Sequence, residues 1–160
     1  MRQRPILFLM LLFPLFPLAA GKPPAPLLSV SGGATLDMAP FGLEKKFAAL
    51  QVQLLFPFTV APGIKPQFAF NNDSWSLYLP ITLAFPITLS ESRDISLEPY
   101  GGGGTVYHSD TGIFHLLITG GISLRWRYFY TDLPVHCYFK EGDSDFLIGL
   151  NAGISIPLSR

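Results

Sequence analysis

From position 75 to 89, large apolar side chains occupy every odd position: Trp75, Leu77, Leu79, Ile81, Leu83, Phe85, Ile87 and Leu89. Ser76, Tyr78, Pro80, Thr82, Ala84, Pro86 and Thr88 fill the even ones. The same period runs through 47–60, where the even positions are apolar and Gln51, Gln53 and Thr59 face the other way. It returns in 114–128, opposite His115, Thr119, Gly121, Ser123, Arg125 and Arg127, and in 146–158, opposite Asn151, Gly153 and Ser155. Alternation sustained this long is a strand signal. It predicts an all-β chain of about eight strands, near 27–37, 47–60, 64–70, 75–89, 95–107, 113–127, 133–140 and 146–158. Turn chemistry separates them at 61–63 (Ala-Pro-Gly), 71–74, 90–94, 109–112 and 141–145. No clear turn divides the sixth strand from the seventh between 127 and 134.

Ahead of this pattern, Arg2 and Arg4 precede an apolar run from Ile6 to Leu18 that ends in Ala19, Ala20 and Gly21. That order marks residues 1–20 as a secretory signal peptide with cleavage near Ala20. The run is short of the roughly 20 residues a spanning helix needs, and carries Pro14 and Pro17. Residues 21–26 are a short extended leader, which leaves 27–160 as one β domain.

Composition sharpens the picture. Charged residues are only 14% of the chain, against about 25% in ordinary soluble domains. Eleven basic and eleven acidic residues balance, so no basic footprint for nucleic acid exists. One cysteine, Cys137, excludes an intramolecular disulfide framework and a multi-cysteine zinc site. It shares parity with Val135 and Phe139, as a small buried or lipid-facing hydrophobe. The non-apolar strand face is Ser, Thr, Gln, Gly, Asn and Pro, while Lys45, Lys46, Asp73, Glu91, Arg93, Asp94, Asp110, Lys140, Glu141, Asp143 and Asp145 are assigned to turns. An uncharged face suits a packed lumen better than water, so the apolar face is expected to meet lipid.

The few strand charges then become candidates for a lumen polar network: Lys65, Glu98 and Arg125, with Gln51, Gln53 and Asn151. Glu98 and Arg125 lie on neighbouring strands, where a buried pair can form; Arg127 is expected at a solvated rim. Phe56, Phe58, Trp75, Trp126 and Tyr128 crowd strand ends as an interfacial aromatic girdle would.

Pro99-Tyr100-Gly101-Gly102-Gly103-Gly104, Gly120-Gly121-Ile122-Ser123-Leu124-Arg125-Trp126 and the closing Leu150-Asn151-Ala152-Gly153-Ile154-Ser155-Ile156-Pro157-Leu158 resemble the small OmpA/OmpX-like outer-membrane β-barrel proteins of diderm bacteria. The resemblance implies an eight-stranded antiparallel up-and-down transmembrane β-barrel in the cell outer membrane, with both termini periplasmic. Membrane lipid and the barrel-assembly machinery are the partners it implies. Members often end in an aromatic residue; this chain ends Pro157-Leu158-Ser159-Arg160.

Pro57, Pro66, Pro80, Pro86, Pro99, Pro134 and Pro157 fall in the predicted strands, and a closed barrel offers no free edge for them. Gly101 to Gly104 lacks the Gly-Lys-Ser/Thr of a phosphate loop and fits close strand packing. His108-Ser109-Asp110 holds hydrolytic residue types, but contiguous residues on extended chain diverge, so a Ser/Asp turn is expected. Lipid A deacylases of the outer membrane carry His and Ser in a different pattern, so no role transfers. His108, His115 and His136 share no ligand-like spacing, so no metal or cofactor is assigned. The expectation is a structural or surface-interaction barrel without an open pore or catalytic residues. A soluble secreted barrel with an apolar ligand inside, and a lipid-modifying barrel enzyme, are the alternatives.

Overall fold

The computed structural model describes residues 25–39, 42–140 and 143–158, so the signal peptide, most of the leader and Glu141 lie outside the described residues. The regular elements described are all antiparallel strands: β1 (Leu27–Ala39), β2 (Gly42–Leu55), β3 (Ala61–Ile64), β4 (Gln67–Phe70), β5 (Trp75–Ala84), β6 (Ile87–Ser90), β7 (Ile95–His108), β8 (Ile113–Trp126), β9 (Phe129–Lys140) and β10 (Asp143–Pro157). β1 pairs with β2 on one side and β10 on the other, which closes the sheet into a barrel. β3 and β4 are two halves of one stave, and β5 and β6 of another, so ten segments make eight staves.

Both divided staves are the work of proline. In an antiparallel ladder a residue's N–H and C=O address the same partner, and proline keeps only the acceptor. The Pro80 carbonyl takes the Lys65 N–H at 3.1 Å, Pro66 takes Val52 at 3.0 Å and Pro99 takes Phe85 at 2.9 Å. Each proline therefore loses one bond of a pair. Register runs on unshifted, from Leu54↔Ile64 to Gln51↔Gln67 and from Ala84↔Tyr100 to Ile87↔Leu97. Pro134 interrupts the β9–β10 ladder in the same way, between Ile148↔Val135 and Asn151↔Asp132. Its ring sits where a Cβ on Gly149 would lie, at 2.8 Å.

Several strand bounds differ from the periodic reading. Ala61-Pro62-Gly63, expected as a turn, is strand β3, and the connection is 56–60. The apolar alternation of Phe56, Phe58 and Val60 continued through a true turn and hid it. β9 begins at Phe129 after a two-residue turn in which Arg127 takes a left-handed φ of 56°. Lys45 and Lys46 lie within β2, and Lys140, Asp143 and Asp145 at the ends of β9 and β10, not in turns.

The apolar rows point outward. On β5, Leu83 is 46% exposed and Thr82 1%; the same contrast holds for Ile118 against Thr119 and for Leu150 against Asn151. A soluble barrel would have the rows inside, so that alternative is overturned. Among the described residues no helix is long and apolar enough to cross a membrane, and the crossing is made by strands with an apolar outer wall. Leu27 pairs with Pro157, and 56–60, 91–94 and 127–128 turn at this terminal end, while 71–74 and 109–112 turn at the other.

Inward glycines let the wall curl. A Cβ on Gly102 would lie 2.0 Å from the Ile81 carbonyl oxygen, and one on Gly104 2.2 Å from that of Leu79. The run at 101–104 thus serves close strand approach.

Candidate functional site in the barrel lumen

Alternation sends Ser, Thr, Gln, Tyr and the strand charges into a lumen only wide enough for side chains. Its half nearer the termini is ionic. Lys65, at the junction of β3 and β4, crosses the lumen to Asp132 on β9, with Nζ 2.9 Å from Oδ1. Ser123 donates to the same carboxylate oxygen at 2.9 Å and accepts from Lys65 at 3.3 Å. The Tyr100 hydroxyl donates to the other oxygen at 3.4 Å, and Lys65 Nζ stands 3.4 Å from the centroid of the Tyr100 ring. Arg125 reaches Glu98 across the β7–β8 ladder at 3.1 Å, and Ser96 also donates to Glu98. Asn151 donates to Gln51 at 3.0 Å, and Gln51 donates to the Tyr130 hydroxyl at 3.3 Å. Two cations and two carboxylates thereby stand as buried ion pairs, as burial demands.

The half nearer the other end is neutral inside its rim. Gln67 donates to Thr35 at 3.0 Å, and His136 meets Gln67 through Nε2 and Thr119 through Nδ1. Tyr78 stacks on His136 with centroids 4.9 Å apart. Toward the mouth, Ser76 Oγ lies 2.7 Å from His108 Nδ1, Tyr138 packs on His108, and Lys140 pairs with Asp145. Ser76, His108, Tyr138 and Lys140 border a cleft of about 60 Å³ that Asp37 and Asp110 also line. His108 closes β7 and Ser109 and Asp110 open the turn after it: Ser109 Oγ accepts the Trp75 N–H, Asp110 caps Thr111 and Gly112 N–H bonds the His108 carbonyl.

Lys65, Glu98, Arg125, Gln51, Gln53 and Asn151 all face the lumen, buried. Glu98 meets Arg125, and Gln51 meets Asn151. Asp132, Ser123, Tyr100 and Tyr130, which complete the ionic half, were missed by sequence reasoning. For Tyr130 and Asp132 the signal is the parity of Tyr130, Asp132, Pro134, His136 and Tyr138, which starts ahead of the 133–140 expected for the seventh strand, while Tyr100 shares the parity of Glu98, and Ser123 that of Arg125. Arg127 is exposed in its turn.

The five girdle candidates are exposed at the two ends of the wall. Trp75 sits within a chain of outward rings, Phe70, Phe68, Trp75, Tyr107 and Phe114, with centroids 5.0–5.6 Å apart. Trp126 and Phe129 pair at the terminal end, beside Tyr128. Phe56 and Phe58 lie in the turn after β2, not at its close.

No family model and no curated protein matches this chain. Solved structures do. The outer-membrane enzyme PagL superposes with a TM-score of 0.54 at 12% identity, over 82% of this chain and 99% of that one. The N-terminal β-barrel domain of Pseudomonas aeruginosa OprF gives 0.52 at 8%, over 84% and 100%. The de novo designed protein TMB2.3 gives 0.52 at 15%, over 86% and 97%. The fold is that of the small outer-membrane eight-stranded β-barrels.

Proposed function

We propose that this chain is a plugged outer-membrane barrel with a structural or surface-interaction role, inserted by the barrel-assembly machinery and conducting no ions. The cluster of Lys65, Asp132, Ser123, Glu98 and Arg125 carries the reading, because it fills the lumen with two buried ion pairs. Catalysis is not part of it. The test is reconstitution into planar bilayers together with lipid-confined spin quenching of single cysteines at 77, 79, 81, 83 and 85 in a Cys137→Ser background. The reading expects quenching at all five and no conductance steps; quenching at 82 and 84 instead, or steady ion current, would reject it.

One observation favours a second reading, a hydrolase at the mouth opposite the termini. Ser76 Oγ and His108 Nδ1 stand at nucleophile–base distance. Against it, His108 Nε2 has no hydrogen-bond partner among the described residues, so nothing orients the ring as a relay requires. Ser76 also faces the lumen rather than lipid. Labelling of Ser76 by a fluorophosphonate, lost in His108→Ala, would establish this second reading.

A further inference from the structure

The terminal mouth of the lumen opens as a cavity of about 620 Å³ lined by Leu27, Asp94, Arg125, Arg127, Tyr128, Ser155 and Pro157. Arg125 stands at its floor, only 7% exposed. One of its terminal nitrogens, Nη2, holds Glu98, while Nε and Nη1 are buried with no hydrogen-bond partner among the described residues. A buried guanidinium with two idle donor nitrogens is costly, since each lost bond to a charged group is worth more than a neutral one. The mouth supplies a second cation, Arg127, two residues on.

We propose that this mouth binds a phosphate ester, with Arg125 as the anchoring donor and Arg127 as the second. Nη2 holds Glu98, which leaves Nε and Nη1 as the donors for the ligand. Phosphate suits the donors because its several oxygens accept from diverging N–H groups. It also carries enough charge to hold both arginines against Asp94, the acidic group on the same lining. Leu27, Tyr128 and Pro157 give the carbon part of an ester an apolar wall. The ester is the headgroup of a phospholipid on the terminal side or a free phosphorylated solute; the chemistry recognised is the same.

The protein in maltoside micelles, which bring no phosphate, is titrated separately with inorganic phosphate and with dihexanoylphosphatidylglycerol while the Arg125 Nε–H resonance is followed. A saturable shift supports the site, and a tighter response to the lipid than to inorganic phosphate identifies a headgroup as the source. Arg127→Gln, which alters only an exposed turn residue, should weaken binding by about tenfold, the worth of one charge-assisted bond. Glu98→Gln, by leaving Arg125 uncompensated, should tighten it. An Arg125 resonance unmoved by both probes, or moved equally by sodium chloride at matched ionic strength, overturns the proposal and leaves a water-filled mouth.

Discussion

The two halves of the lumen solve one packing problem in different ways. Near the termini, Lys65–Asp132 and Arg125–Glu98 fill the space with paired charge. Toward the other end, Thr35, Gln67, Thr119, His136 and Tyr78 fill it with neutral hydrogen bonds and a stacked pair of rings. A neutral network loses one bond when one member is removed; an ionic one strands a charge. The ionic half is therefore the more brittle, though a pair of charges adds little net stability over apolar residues of the same volume.

The sharpest test is Asp132→Ala, which leaves Lys65 buried without its counter-charge. Urea unfolding in lipid vesicles should show a loss of about 3–5 kcal/mol. The double variant Lys65→Met with Asp132→Leu should recover most of that loss, and failure to recover would mean that the pair does more than neutralise itself. Next in size, Leu83→Arg puts a cation on the lipid side of the wall and should cost about 2–4 kcal/mol in the same assay. In the neutral half, His136→Ala should cost about 1–3 kcal/mol, because Gln67 and Thr119 lose partners but no charge is stranded. A loss from His136→Ala equal to that from Asp132→Ala would erase the distinction between the halves. Smallest of all, Lys140→Ala at the solvated rim should change stability by less than about 0.5 kcal/mol.

Much of this was legible in the sequence, for reasons that differ by residue. The alternation of 75–89 exposes the stave and its two faces because the side-chain period of a strand is fixed at two. Glu98 and Arg125 could be paired in advance because consecutive strands of an up-and-down sheet are neighbours. Lys65 and Asp132 could not. Their staves are not neighbours, and their meeting depends on how the barrel staggers, which no local pattern encodes. The turn at 56–60 was hidden by apolar residues that kept the strand rhythm, while Pro62 and Gly63 imitated a turn inside β3. Register, once known, resolves the prolines as well: Pro66 and Pro80 each give up one donor on adjoining staves, with no shift in pairing.

Those prolines also decide what kind of imperfection the wall contains. In hydrocarbon, with no water to take its place, a bare amide N–H is the worst vacancy a sheet can offer. A carbonyl with one lone pair idle is more easily tolerated. Proline creates the second kind alone, because it has no proton to leave unbound. The gaps beside Lys65, Val52, Phe85 and Gly149 are thus acceptor-only, and a stray strand seeking to add itself there would find half of the ladder it needs missing. The wall is interrupted where the interruption is least adhesive, and hydrogen exchange at its flanking amides, not at the prolines, is where any opening would first be seen.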